Sequence, residues 1–198
     1  MQHLEAINQF QIILASKSPR RQELLSNMGL KFTVHQSNVN EDIPEGVPFE
    51  KLAEHFAKYK AEDVAQYYTM YNTIVIGCDT TVLLDDELLE KPQNKAEAFE
   101  MIKQLSEKTH RVISAICIVS ANKTMVYSDV SKVSFVKLRD EEINFYIDNY
   151  APFDKAGSYG IQEWIGCIGI NRIEGSFYTV VGLPTHLLWD MLKQLAIG

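Results

Sequence analysis

The hexapeptide Thr73-Ile-Val-Ile-Gly-Cys78 presents almost no polar side chain to either of its faces, so folding must cover it on both sides. Parallel strands packed between helices read as continuous apolar runs of this kind, whereas strands with one wet face alternate. The stretch Phe10-Gln-Ile-Ile-Leu-Ala15 has nearly the same character. Buried strands separated by helical patterns predict an α/β chain.

Ser16-Lys-Ser-Pro-Arg-Arg21 breaks the first run, and Leu24, Leu25 and Met28 then recur at helical spacing up to Gly29. Ser18 is placed to cap that helix, Pro19 suits its first turn, and Gly29 suits a left-handed end. A strand at 31–34, a polar loop at 37–47 carrying Glu41, Asp42 and Glu45, and a helix from 48 to about 66 with Leu52, Phe56, Tyr59 and Ala61 at helical spacing follow. The apolar strand is expected to end at Asp79-Thr80-Thr81, with a hairpin around Asp85-Asp86 and then a helix capped by Asn94 and Glu97. Residues 111–120 and 125–138 predict an antiparallel pair turning at Asn122-Lys123, and 140–150 an amphipathic helix with Ile143, Phe145, Tyr146 and Ile147. Residues 154–162 read as irregular, 167–173 as strand and 184–196 as a last helix. The expected architecture is an elongated mixed β-sheet flanked by helices, with two lobes around a central cleft, in one domain over residues 1–198.

Charge and cysteine usage narrow the function. With 19 basic against 26 acidic residues the net charge is −7, the wrong sign for a chain that neutralises nucleic-acid phosphates, so no nucleic-acid partner is expected. No apolar run approaches the ~20 residues of a membrane span, and the first residues lack a basic segment followed by an apolar core, so neither membrane association nor secretion is expected. Cys78, Cys117 and Cys167 are odd in number and lie in apolar stretches, which reads as buried reduced thiols in a cytoplasmic protein. A homodimer stays open.

The strongest local signal for chemistry is Ser16-Lys17-Ser18-Pro19-Arg20-Arg21. Helix N-terminal amides, hydroxyls and cations converge there as a phosphate requires, and cations in a first helical turn oppose the dipole. A basic surface patch on an ordinary helix is the alternative. Asp79-Thr80-Thr81 follows a buried strand, where open α/β sheets gather ligands, and a carboxylate there holds a divalent metal, takes a proton from water, or simply caps a turn. Glu41 and Asp42 offer a second carboxylate, though loop acids are commonly just solvated. Lys60, Lys91 and Lys155 read as lying near element boundaries, the last in a Gly-containing loop able to approach a ligand; His110 reads as a satisfied, partly buried histidine, with the orienting of a neighbour as the alternative. The five histidines show no metal spacing, and phosphate-loop, dinucleotide and nucleophile-elbow motifs are absent.

Taken in order, Leu14-Ala-Ser-Lys-Ser-Pro-Arg-Arg21, Cys78-Asp-Thr80, Glu90-Lys-Pro92, Thr109-His110, Asp154-Lys-Ala-Gly-Ser-Tyr-Gly-Ile-Gln162, Ile173-Glu-Gly-Ser176 and Val180-Val-Gly-Leu-Pro184 resemble the Maf septum-formation family of nucleoside triphosphate pyrophosphatases. The resemblance spans nearly the whole chain. It implies an architecture related to the inosine-triphosphate pyrophosphatases and hydrolysis of a nucleoside triphosphate to the monophosphate and pyrophosphate with Mg²⁺ or Mn²⁺. It further implies Asp79 as proton acceptor, Glu41 with Asp79 on the metal, and Ser16, Arg20, Arg21, Lys60, Lys91 and Lys155 around the phosphates, Lys91 among the catalytic groups. Arg20, Thr80 and Gln162 match the specificity positions of the branch acting on dTTP and UTP. A regulatory module that binds a nucleotide without turning it over is the competing reading.

Overall fold

The computed structural model describes residues 2–197. A mixed seven-stranded sheet has the order β2-β1-β3-β5-β6-β7, with β4 (Glu87–Leu88) beside β3. β1 (Gln11–Leu14) runs parallel to both β2 (Phe32–Val34) and β3 (Thr73–Leu84), Ile12 lying opposite Phe32 and Ile74, whereas β7 (Ile170–Glu174) is antiparallel to β6 (Thr124–Phe135). The chain divides into two compact units, the first made of the chain up to Asp79, Ser114–Asp129 and the residues from Gly182, the second of Thr80–Ile113 and Val130–Val181.

In the first unit, Ile12, Ile13, Leu14, Ile74 and Ile76 are buried, as the apolar runs require. After β1 comes α2 (Pro19–Asn27), whose first-turn Arg21 amide donates to Ser18 Oγ at 3.5 Å, and whose end is followed by Gly29 at φ 75°. The long helix α3 (Phe49–Ala65) buries Leu52, Ala53, Phe56, Ala57, Ala61 and Val64, together with Lys60. It can approach β3 so closely because of Gly77: a Cβ there would stand 2.1 Å from the Ala57 carbonyl oxygen and 2.7 Å from the Ala61 nitrogen. Tyr59, expected inward, is 49% exposed and packs beside His55 on the outer face.

The second unit is organised around Val82, Leu84, Ile102, Leu105, Val112, Val133, Phe135, Ile143, Tyr146, Ile147 and Ile165. α4 (Lys95–Leu105) is capped as its sequence predicts, the Glu97 amide donating to Asn94 Oδ1 at 3.0 Å and the Gln93 amide to Glu97 Oε2 at 2.8 Å. α5 (Asp140–Tyr150) has the expected bounds, with Ile143, Tyr146 and Ile147 inward and Phe145 half exposed against Trp164. The hairpin of β5 (Thr109–Ser120) and β6 turns where expected, the Ser120 amide donating to the Lys123 carbonyl at 3.0 Å.

Four expectations are corrected. β3 does not stop at Asp79 but continues to Leu84, because Val82, Leu83 and Leu84 are buried and carry the strand through its polar middle. The segment expected to be strand from Cys167 begins as the helix α6 (Trp164–Gly169), and β7 starts only at Ile170. Cys167 is consequently exposed on that helix, while Cys78 and Cys117 are buried and burial pushes their thiols up to about 11 and about 12. Lys60 lies inside α3, away from its ends. The short helices α1 (Gln2–Ile7) and α7 (Phe177–Val181) carry no sequence signal, since neither is long enough to show a periodic apolar face. Among the described residues no helix is long and apolar enough to cross a membrane.

Candidate functional site

In the first unit α3, β3 and the polar loop after β2 meet at Lys60. Its ammonium lies 2.7 Å from Asp79 Oδ1 and 2.6 Å from Glu41 Oε1, with side-chain exposures of 10% for Lys60, 14% for Asp79 and 46% for Glu41. The stem packs by Phe56, whose ring centroid is 6.0 Å from the ammonium. A buried lysine is tolerated only when paired, and here each carboxylate comes from a different element. Of the loop acids, Glu41 enters this cluster, whereas Asp42 accepts a hydrogen bond from Asn40.

The first turn of α2 is tied to the same strand. Arg21 donates from Nη1 to the Cys78 carbonyl at 2.9 Å and to Ser16 Oγ at 3.3 Å, and from Nε to the Gly182 carbonyl at 3.0 Å. The buried Ser16 also accepts from the Ser18 amide at 3.2 Å. Arg21 thus bolts the α2 N-terminus to the residue immediately before Asp79. Arg20, next to it, is half-buried.

The second unit holds Thr80, Lys91, Lys155 and Gln162. Thr80 is half-buried in β3, and Lys91 and Gln162 are exposed. Lys155 is buried, its ammonium 2.7 Å from Asp154 Oδ1 and 3.0 Å from Glu163 Oε1. Glu163 Oε2 in turn accepts a hydrogen bond from the Tyr146 hydroxyl, and that hydroxyl accepts from the Gly160 amide at 3.0 Å. Burial, the hydrogen bond and the Glu163 charge raise the Tyr146 hydroxyl well above the usual phenol range, so the phenol keeps its proton. The sequence places Tyr146 on the apolar face of its helix but gives no sign that Glu163 meets it. The heptad-like burial of Ile143, Tyr146 and Ile147 gives Tyr146 away as a core residue, but nothing local signals the carboxylate that meets it.

His110 is also buried, with Nε2 2.7 Å from Tyr159 Oη, and burial pushes it down to about 4. The buried-histidine reading fits this placement, and the ring is neutral there.

Among the described residues no group of three or more His, Cys, Asp or Glu side chains is placed to hold a metal. Glu41 and Asp79 nonetheless converge on one cation, the Lys60 ammonium. Two hard carboxylates fit Mg²⁺ or Mn²⁺, which commonly take only one or two protein carboxylates and complete their shell with phosphate oxygens and water.

A family model described as Maf-like protein matches residues 11–195. A protein of Porphyromonas gingivalis named dTTP/UTP pyrophosphatase is 45% identical over 193 residues, 96% of this chain and 97% of the relative. One of the same name from Flavobacterium psychrophilum is 46% identical over 182 residues, 90% of this chain and 91% of its own length. A third, from Parabacteroides distasonis, is 44% identical over 193 residues, 96% of this chain and 99% of the relative.

Proposed function

Because the chain belongs to the Maf-like family, we propose that it is a nucleoside triphosphate pyrophosphatase acting on dTTP and UTP. Identity above 40% over nearly the full length of relatives that bear that name carries the reading. The Lys60 cluster gives it a chemical basis.

Hydrolysis adds water across the anhydride between the α and β phosphates, releasing the nucleoside monophosphate and pyrophosphate, and something must accept the water's proton. Asp79 is the base, and Lys60 fixes its carboxylate by holding Oδ1. Proton transfer of this kind typically contributes only ~10²–10⁴-fold, so most of the acceleration comes from charge placed around the phosphates. Ser16, Arg20 and Lys60 supply hydroxyl and cations for it, and Arg21 keeps the α2 N-terminus at the level of Asp79 through the Cys78 carbonyl. The family resemblance assigns Lys91 and Lys155 to phosphate binding and Thr80 and Gln162 to the choice of base. Glu41 and Asp79 would hold Mg²⁺ or Mn²⁺, which would neutralise developing charge on phosphate oxygens. The amide of Gln162 matches uracil and thymine, which present an N3–H donor between carbonyl acceptors.

Pyrophosphate release from dTTP, UTP, CTP, GTP and ATP with Mg²⁺ tests the assignment. Turnover of dTTP and UTP ahead of the purine triphosphates is expected. Binding without any pyrophosphate release would instead make the chain a non-hydrolysing nucleotide-binding module.

A further inference from the structure

We infer that Tyr146 and Glu163 are positioning residues for base selection, acting through Gln162; the inference rests on the dTTP/UTP assignment above. The Glu163 amide donates to the Gly160 carbonyl at 3.0 Å, closing a turn whose third residue is Gln162. Both ends of that turn are fastened to one atom, the Tyr146 phenol oxygen. It accepts from the Gly160 amide at 3.0 Å and donates to Glu163 Oε2. The other Glu163 oxygen is held by the Lys155 ammonium at 3.0 Å, and Lys155 is anchored again by Asp154 at 2.7 Å.

The closeness of the fit shows at Gly160, where a Cβ would lie 2.6 Å from Glu163 Cδ and 2.7 Å from Oε2. Tyr146 is fully buried in the core of its unit, so the phenol is a fixed post rather than a mobile side chain. Gln162, by contrast, is exposed on the turn. An exposed amide discriminates between bases best when its backbone is held in advance, since the cost of ordering it otherwise falls on the base that uses its hydrogen bonds and offsets part of their preference. The same network gives buried Lys155 a structural task, its charge being met by Asp154 and Glu163 together.

The test is kcat/KM for dTTP, UTP and GTP in the full chain, with thermal unfolding measured alongside. Tyr146→Phe removes the post's hydroxyl, and we expect the dTTP-to-GTP and UTP-to-GTP ratios to fall at least about fivefold, mainly through KM. Glu163→Ala is expected to do the same, and Glu163→Gln, which keeps a carbonyl to accept from Tyr146, to restore most of the ratio. In a Gln162→Ala background Tyr146→Phe should change the ratios less than about twofold. Unchanged ratios in folded Tyr146→Phe and Glu163→Ala proteins overturn the inference, as does an equal fall with and without Gln162. A wild-type protein that releases no pyrophosphate from dTTP or UTP refutes the activity assignment first, and the inference with it. Should Tyr146→Phe fail to fold, the Glu163→Ala and Glu163→Gln pair decides the matter alone.

Discussion

Lys60 and Asp79 meet at 2.7 Å although one comes from a helix interior and the other from the middle of a strand, and both are largely shielded from water. Two glycine hydrogens make the meeting feasible. Gly77 leaves the Ala57 carbonyl and the Ala61 backbone room to lie against β3, and Lys60 then stands over the residue two positions further along the strand.

Gly77→Ala is therefore expected to destabilise the protein and to reduce turnover in whatever fraction stays folded. A Cβ at 2.1 Å from a backbone oxygen cannot be absorbed by a rotamer change, and overpacking of this kind typically costs about 1–3 kcal/mol or more. Urea unfolding measures it. A midpoint equal to wild type would show that α3 does not need this approach.

Lys60 also acts as an internal cation for Glu41 and Asp79. Lys60→Met removes the charge while keeping much of the apolar stem, and leaves the carboxylates facing each other. Mn²⁺ affinity without nucleotide, read by calorimetry or electron paramagnetic resonance, should then rise about tenfold or more, which corresponds to ~1.4 kcal/mol. Unchanged affinity would remove Glu41 and Asp79 as a metal site.

His110 contributes a pH dependence to stability. Its folded pKa of about 4 lies below the ordinary histidine value near 6.5, so between those values the unfolded chain binds the extra proton. Stability is full above about pH 6.5 and falls as pH drops toward 4, with a slope from this group of at most roughly 1.4 kcal/mol per pH unit. His110→Gln should flatten that fall, as read from unfolding midpoints at pH 7 and pH 5. An identical slope in the variant would show that His110 is not the group responsible.

Much of this was legible in the sequence because it depends on local chemistry. Asn94 with Glu97, Ser18 with Pro19, and the long apolar runs each specify their own element. The buried Lys60 was hidden only by reading it alone, for Ala57, Ala61 and Val64 around it form a helical stripe that places position 60 on the inward face. Glu163 is harder to read, and so is the choice of Glu41 over Asp42 in the polar loop. Each meets its partner across an irregular segment whose spacing carries no period. The strand through Asp79 is masked in the sequence for a different reason: polar residues usually end a strand, and only the burial of Val82 to Leu84 shows that this one goes on.

Whether Asp79 activates water for a reaction on dTTP and UTP is decided by comparing Asp79→Asn with wild type for pyrophosphate release and for nucleotide binding in the same preparation. The substitution keeps shape and removes the base, so turnover should fall at least about 10²-fold with dTTP and UTP still bound. Turnover close to wild type would contradict that role and move the base elsewhere, with Glu41 the next residue to examine.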